Sequence, residues 1–346
     1  MSFEVVLQPS GNRFDVPEGT SILKAGHDSN VPLPYSCRAG ACRTCRGRIL
    51  EGQVDHGHVH PTYLPDEERE QGYALLCQAQ PLSNLVIEVQ ELDIMGSIRS
   101  RICPGRVMEM RLLTPDVMIV RIKLPMNEDV QFLAGQFVEF VLANGERRAY
   151  SIASAPSIGG VRSIELHVRH TPGGLFTDYV FDGMQVHDLV RMELPLGTFF
   201  LREDSDKPLI LLASGTGFAP FKSILGYAQQ TQVNRPMTLY WGGRTRADLY
   251  EMDWVERYAL ENERLKFIPV LSEATPACGW DGRTGFVHRA VMEDFPDLSN
   301  HQVYACGAPI VIDSAKRDFA EQCGLSLQEF FADSFLDAGD RARAHG

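Results

Sequence analysis

Cys37, Cys42 and Cys45 lie within nine residues in the run YSCRAGACRTCRGRI, and a fourth cysteine, Cys77, follows in YALLCQAQP. Deprotonated thiols held so closely are soft ligands suited to zinc or an iron–sulfur cluster; oxidised, they would form disulfides. Zinc sites more often pair two C-x-x-C arms, and only Cys42 and Cys45 form such a pair. Eight cysteines in 346 residues make a poor disulfide scaffold. The opening MSFEVVLQPS lacks a basic start followed by an apolar stretch, so it does not read as a signal peptide. A cytoplasmic setting that keeps thiols reduced or metal-bound is expected.

The arrangement C-x4-C-x2-C with one distant cysteine is the plant-type [2Fe–2S] spacing. Two irons need four thiolates, which makes Cys37, Cys42, Cys45 and Cys77 the expected ligands: a loop wraps one side and the distal cysteine closes the other. Gly40 and Ala41 leave the backbone bare, so its N–H groups can turn toward sulfur. Arg43 and Arg46 have two readings, a solvated loop face or positive charge that stabilises a reduced cluster. The alternating His56, His58 and His60 in DHGHVH read as an exposed strand edge, since no carboxylate-rich surroundings are evident. The segment resembles a plant-type ferredoxin domain, down to CRAGAC.

Further along the chain, RAYS supplies Arg148, Ala149, Tyr150 and Ser151 at the end of an expected strand. Arg148 is a candidate for a flavin phosphate, Tyr150 for the isoalloxazine ring and Ser151 for a hydrogen bond to the redox-active N5. His167 and Val168 follow in SIELHVRH, then Gly173, Gly174, Leu175 and Thr177 in TPGGLFTDYV, where a helix N-terminus would accept a pyrophosphate. Each has an ordinary reading too, a tyrosine in a barrel core or glycines in a turn. PLILLASGTGFAPFKSIL reads as strand, glycine turn and helix. Its Gly215, Thr216 and Gly217 allow a phosphate to approach, with Pro220 near the helix start. It is not G-x-G-x-x-G, so that fingerprint carries nothing here. YACGAP places Cys306 and Gly307 at the carboxyl end of a late strand, where open α/β sheets bind ligands. Cys306 suits a buried small hydrophobe or a contact with nicotinamide.

The elements that must hold these residues fall into three rhythms. FEVVL, RFDV, the capped helix TSILKAGHDSN and LVIEVQEL form a small unit ending near position 93. DIMGSIRSRICPG reads as a connection, because charges and Pro-Gly break its periodicity. From about 106 to 203, β-rich runs separated by Gly, Pro and Asn point to an antiparallel barrel or sandwich. From 207 the pattern is β-α-β with apolar strands, the mark of a parallel sheet covered on both faces. The closing DAGDRARAHG reads as a frayed tail. A net charge of −12 argues against a nucleic-acid partner, and no apolar run of membrane-spanning length occurs.

Taken together, these motifs resemble the ferredoxin–NADP⁺ reductase superfamily, in its three-part members with an N-terminal ferredoxin, over nearly the whole chain. The resemblance implies a multi-domain α+β and α/β protein. Its parts would be a β-grasp [2Fe–2S] domain over 1–93, an antiparallel FAD-binding β-barrel over 101–204 and a Rossmann-like NAD(P)-binding parallel-sheet domain over 206–336. It implies flavin binding by Arg148, Tyr150 and Ser151, nucleotide binding by Gly215, Thr216, Gly217 and Pro220, and a hydride-transfer site bordered by Cys306 and Gly307, with Ser151 and Cys306 the catalytic pair. Phe335 in ADSFL would be the aromatic flavin cover. FAD is favoured over FMN by the Gly173–Thr177 seat, and NADH over NADPH, although Arg244 and Arg246 after LYWGG are placed to grip a 2′-phosphate. The expected activity passes electrons from NAD(P)H through FAD and the cluster to a partner metalloprotein, an oxygenase or hydroxylase. Rival readings are the reductase of 3,6-dideoxysugar biosynthesis (a dehydratase partner), a flavin reductase, or a non-enzymatic Fe–S electron carrier.

Overall fold

The computed structural model describes residues 2–92, 98, 100–126, 130–157, 159–275 and 278–335. The polar carboxyl-terminal stretch and most of the expected connection before Ser100 lie outside them. The chain divides into two compact units, one of Met1–Arg99 with Gly197–Phe199 and the chain from Ala332, the other of Ser100–Leu196 and Phe200–Phe331.

In the first unit, strands β1 (Ser2–Gln8) and β2 (Arg13–Pro17) form an antiparallel hairpin. Helix α1 (Ile22–Asp28) begins where the Ser21 hydroxyl accepts the Lys24 N–H, and its Ile22, Leu23 and Ala25 are buried as the periodicity predicts. The chain continues through β3 (Arg46–Glu51), β4 (Val54–Asp55), helix α2 (Asp66–Glu70), β5 (Tyr73–Leu75), β6 (Gln80–Pro81) and β7 (Leu85–Glu88). The main sheet runs β2-β1-β7-β3-β5, with β1 and β7 parallel and the other pairs antiparallel. This is the expected β-grasp. Strand β7 stops four residues short of the predicted 85–92.

The second unit opens with an antiparallel sheet. Its strands are β8 (Arg101–Thr114), β9 (Val117–Lys123), β10 (Phe137–Val141), β11 (Arg147–Ser151), β12 (Ser163–Arg169) and, after helix α3 (Leu175–Asp178), β13 (Leu189–Leu196). The order is β11-β10-β13-β8-β9-β12, and an Ile152–Leu166 bridge joins the two edges into a barrel around Val107, Val138, Phe140, Ile152, Leu166 and Met192. Strand β8 corrects the reading of RICPG as connection. Gly105 is there for packing rather than turning, because a Cβ would sit 2.5 Å from Ile122 Cγ2 and collide with Met192. Pro104 opposes Arg191 and faces outward.

The rest of that unit is the parallel sheet. It comprises β14 (Leu209–Ser214), α4 (Phe218–Gln230), β15 (Met237–Gly243), α5 (Met252–Glu261), β16 (Leu265–Leu271), β17 (Arg283–Thr284), α6 (Val287–Asp294), β18 (Gln302–Gly307) and α7 (Pro309–Gln322), and its last strand, β19 (Phe330–Ser334), leaves this unit at Ala332. The order β17-β16-β15-β14-β18-β19 reverses direction at β14, so a crevice opens beyond the carboxyl ends of β14 and β18. Strands buried on both faces explain the unbroken apolar run LILLA. Among the described residues, no helix is long and apolar enough to cross a membrane.

Candidate functional site

The cysteine loop is coiled by three residues in left-handed backbone, Arg38 (φ 53°), Gly40 (φ 75°) and Arg43 (φ 64°). That coiling turns N–H groups inward. Ala39 and Cys42 each donate to Cys37 Sγ at 3.3 Å, and Cys37 donates to Cys42 Sγ at 3.4 Å. The Cys77 segment is stitched to the loop from both sides: Leu76 N–H donates to the Cys45 carbonyl at 3.0 Å, and Gln78 Nε2 donates to the Arg38 carbonyl at 3.1 Å. At Gly40 a Cβ would press on Gln78 at 3.0 Å. Cys45 and Cys77 are buried, Cys37 and Cys42 half-buried.

The thiols sense one another. Cys37 is pushed up first by its hydrogen bond with Cys42 and then by burial; Cys45 is pushed up first by its hydrogen bond with Cys77 and then by burial. Four thiolates in this space repel unless a cation lies among them, and inward N–H groups are what cluster sulfur requires. The donor set therefore fits a [2Fe–2S] cluster. Among the described residues, no group of three or more His, Cys, Asp and Glu side chains is spaced for a single metal ion. His58 and His60 are exposed and His56 half-buried.

The solvated-face reading of Arg43 and Arg46 does not hold. Both are largely covered and share one carboxylate: Arg43 Nη2 donates to Glu68 at 2.5 and 2.6 Å, and Arg46 Nη1 at 3.3 Å. Arg46 also lies 3.9 Å over the Tyr73 ring. One of the two charges beside the loop is thus neutralised by a residue of α2.

On the barrel, Ser151 is buried and Tyr150 half-buried, its ring 5.1 Å from Phe176 and 5.9 Å from Phe140. Arg148 is paired with Glu146 and with the Arg147 carbonyl, and Ala149 is exposed. The Ile152–Leu166 bridge sets Ser151 opposite His167, both on the face away from the barrel core. Val168 belongs to the core itself. His167 has both ring nitrogens engaged, Nδ1 with Tyr250 Oη at 2.8 Å and Nε2 with Glu165 at 3.2 Å, so its side chain is committed to protein. Gly173 (φ 80°) faces open space, and Gly174 caps a helix of only four residues followed by a wider turn, Leu175 being exposed. The Thr177 hydroxyl closes that turn by donating to the Thr171 carbonyl at 2.9 Å.

In the crevice, Gly215 (φ 54°), Thr216 and Gly217 form one tight turn before α4, and Pro220 is buried in its first turn. Trp241 Nε1 donates to the Gly215 carbonyl at 2.9 Å, and the Trp241 ring stacks on Phe218 at 4.1 Å. Ala308 N–H donates to Ser214 Oγ at 2.9 Å, which ties Cys306–Gly307 to the end of β14. Arg169 was not anticipated from sequence. Its Nη1 holds Asp116 and Asp248 at 2.7 and 2.9 Å, while its Nε and Nη2 are buried without a protein partner beside the Gly215 turn. Two orphaned donors at a glycine turn are the complement of a phosphate. Arg244 and Arg246 are exposed, and the Arg244 N–H is taken by Asp248 at 3.1 Å. Phe335 is half-buried just beyond β19.

A thiol-lined loop with a β-grasp, a flavin-type barrel and a parallel sheet with a nucleotide crevice define an oxidoreductase that moves electrons between bound cofactors. Residues 5–82, 104–201 and 211–317 match the family models described as 2Fe-2S iron-sulfur cluster binding domain, oxidoreductase FAD-binding domain and oxidoreductase NAD-binding domain. The chain is 37% identical over 336 residues to the CDP-6-deoxy-L-threo-D-glycero-4-hexulose-3-dehydrase reductase of Yersinia pestis, covering 97% of this chain and 99% of that one. It is also 37% identical over 334 residues to the aromatic O-demethylase reductase subunit of an Amycolatopsis species, covering 92% and 94%. A solved Amycolatopsis cytochrome P450 reductase superposes with a TM-score of 0.77 at 34% identity, over 97% of this chain and 99% of that one. The chain belongs to the ferredoxin–NAD(P)⁺ reductase family, in the branch that joins a plant-type ferredoxin to the flavin and nucleotide modules. It is an NAD(P)H-dependent oxidoreductase that binds a [2Fe–2S] cluster, FAD and NAD(H).

Proposed function

We propose that this reductase works in the cytoplasm and supplies single electrons to a partner metalloprotein of the oxygenase or hydroxylase class. When bound, FAD takes two electrons as a hydride from NADH and the cluster carries one electron at a time, so the chain converts a pair into single deliveries. Cys37, Cys42, Cys45 and Cys77 hold the cluster. Ser151, opposite His167, borders the flavin, with Tyr150 and Arg148 on the same strand and Gly173, Gly174 and Thr177 shaping the seat for its pyrophosphate; Ala149, Val168 and Leu175 contribute backbone. Phe335 is assigned as the aromatic cover. Arg169 and the Gly215–Gly217 turn take the phosphates of the dinucleotide, and Cys306 and Gly307 wall the nicotinamide. The working modules are 1–93, 101–204 and 206–336.

The observation that carries this reading is one chain with four converging thiols, a flavin-type barrel and a phosphate-ready crevice. Likeness to the P450 and O-demethylase reductases supports the oxygenase class. A second reading, a dehydratase partner, is supported by the 37% identity to the hexulose dehydrase reductase. Mixing the NADH-reduced chain anaerobically with a cytochrome P450, a phenol hydroxylase component and a CDP-hexulose dehydrase tests both, the fastest cluster reoxidation naming the partner class. If only free flavin reoxidises it, the chain is a flavin reductase and the proposal fails.

We infer a preference for NADH. Glu273 is exposed just past β16 and its N–H donates to the Arg244 carbonyl at 2.9 Å, so an acidic residue adjoins Arg244 at the strand end and offsets the charge the arginines would offer a 2′-phosphate. The expected kcat/KM is about tenfold or more higher with NADH, since a charge-assisted contact is worth about 1.5–3 kcal/mol. Arg246→Ala should change neither nucleotide's KM by more than about twofold, as exposed charges contribute little. A several-fold advantage for NADPH would overturn the inference.

A further inference from the structure

A cluster of ion pairs is centred on Lys222 of α4. Its Nζ donates to Glu165 of β12 and to Glu251 before α5, both at 2.8 Å, and sits 5.2 Å from the Trp254 ring. Arg121 of β9 grips the other Glu165 oxygen at 2.9 and 3.0 Å, and Arg111 of β8 reaches Glu251 at 3.5 Å. Glu165 and Glu251 are buried. Burying Lys222, Glu165 and Glu251 stabilises little by itself, because desolvation offsets most of the attraction, while Arg111 and Arg121 stay about half exposed. What such a cluster does well is fix one arrangement of the elements that carry it.

From Glu165 a single line of contacts runs to the nucleotide crevice. A carboxylate only accepts, so His167 Nε2 carries the hydrogen toward Glu165 and Nδ1 accepts from the Tyr250 hydroxyl at 2.8 Å. The Tyr250 ring meets Trp241 edge-on at 5.2 Å, and Trp241 holds the Gly215 carbonyl. The Cys306 carbonyl backs directly onto Gly217 of the same turn, where a Cβ would lie 2.5 Å from its carbon. At the other end of the line, His167 stands opposite Ser151.

We propose that Glu165, His167 and Tyr250, closed by Lys222, are positioning residues for hydride transfer, a strut holding the Trp241–Gly215–Cys306 wall in register with Ser151. The inference rests on Ser151 and Cys306 flanking the reacting atoms. The groups facing His167 are Glu165 on its own strand, Lys222 on α4, and Tyr250 and Glu251 ahead of α5, with Arg121 acting through Glu165. Burial, offset by Glu165 and reinforced by the Lys222 charge, holds the His167 pKa below its ordinary value. Against the upward push of burial, the His167 hydrogen bond and the Lys222 charge hold Glu165 well below the usual carboxylate range. The strut is therefore set with a neutral imidazole at neutral pH. Protonation would make Nδ1 a donor, so the Tyr250 hydroxyl would have to turn from donor to acceptor and the charge of the line would change.

Tyr250→Phe keeps the ring and removes only the hydroxyl. In the FAD-loaded full chain, the limiting rate of flavin reduction by NADH should fall about tenfold, since slight misplacement costs up to about a hundredfold. NADH KM and FAD affinity (titrated into stripped protein) should change less than about twofold. Lys222→Met, or Lys222→Gln where the Met variant folds poorly, should move the acid limb of that rate to higher pH, because removing the neighbouring cation raises the His167 pKa. A raised KM with an unchanged limiting rate, or an unmoved acid limb, overturns the strut. Ser151→Ala measured alongside separates the two failures: if it too leaves flavin reduction unchanged, the site assignment has failed rather than the strut.

Discussion

Cys42→Ser and Cys77→Ser chains should purify with FAD bound, without visible [2Fe–2S] absorption and with iron at background. Four thiolates close a two-iron cluster, and a serine hydroxyl is a poor substitute for any of them. The cost falls within the first unit. The Cys37–Cys42 sulfurs lose their inward N–H partners' purpose, while the barrel and crevice belong to the other unit. NADH-driven ferricyanide reduction, drawn from the flavin, should persist near the unmodified rate. Cytochrome c reduction, drawn from the cluster, should fall to background. Iron analysis, the visible spectrum and the two dye assays on each of the four variants decide it. A variant that keeps full iron and the cluster spectrum removes its cysteine from the ligand set, and equal loss of both dye activities shows that flavin and cluster are not separable.

The thiol loop was legible because the information is local: C-x4-C-x2-C is a loop motif, and Cys77 is the one further cysteine before the small unit ends. The barrel and the parallel sheet were legible for a related reason, since period-2 alternation and unbroken apolar runs report how many faces of a strand are buried. What sequence reading missed depends on partners far away in the chain. Arg43 and Arg46 look solvated until α2 brings Glu68 against them. His167 reads as a cofactor contact because it follows a flavin motif, yet its nitrogens are claimed by Tyr250, distant in sequence, and by Glu165, two residues before it. The one signal for the Lys222 cluster was Glu165 and His167 inside the buried strand SIELHVR, and that does not say which cation meets them. Arg169 could have been noticed as a charge ending a buried strand, but only the crevice shows that two of its donors lack protein partners.

Gly217→Ala should abolish most NADH-driven flavin reduction while leaving FAD binding and the cluster in place. Gly217 has ordinary helical backbone, so the glycine is required by proximity rather than by conformation. A Cβ there would collide with the Cys306 carbonyl oxygen, at 2.5 Å from its carbon and 2.7 Å from the Gly307 nitrogen. Backbone cannot swing aside as a flexible side chain would, so either the Gly215–Gly217 turn or the Cys306–Gly307 wall must move. Gly307 cannot yield easily: at φ 131° its own Cα faces Ser214, whose hydroxyl accepts the Ala308 N–H. The displacement is delivered to the two segments proposed to hold the phosphates and the nicotinamide, where a shift of about 1 Å costs about a hundredfold. Stopped-flow reduction by NADH should therefore slow by that order, with a weakened NADH affinity. Dithionite, which needs no crevice, should still reduce flavin and cluster fully. Flavin reduction by NADH within about twofold of the unmodified chain would show that the crevice between Gly217 and Cys306 is not where the nucleotide binds.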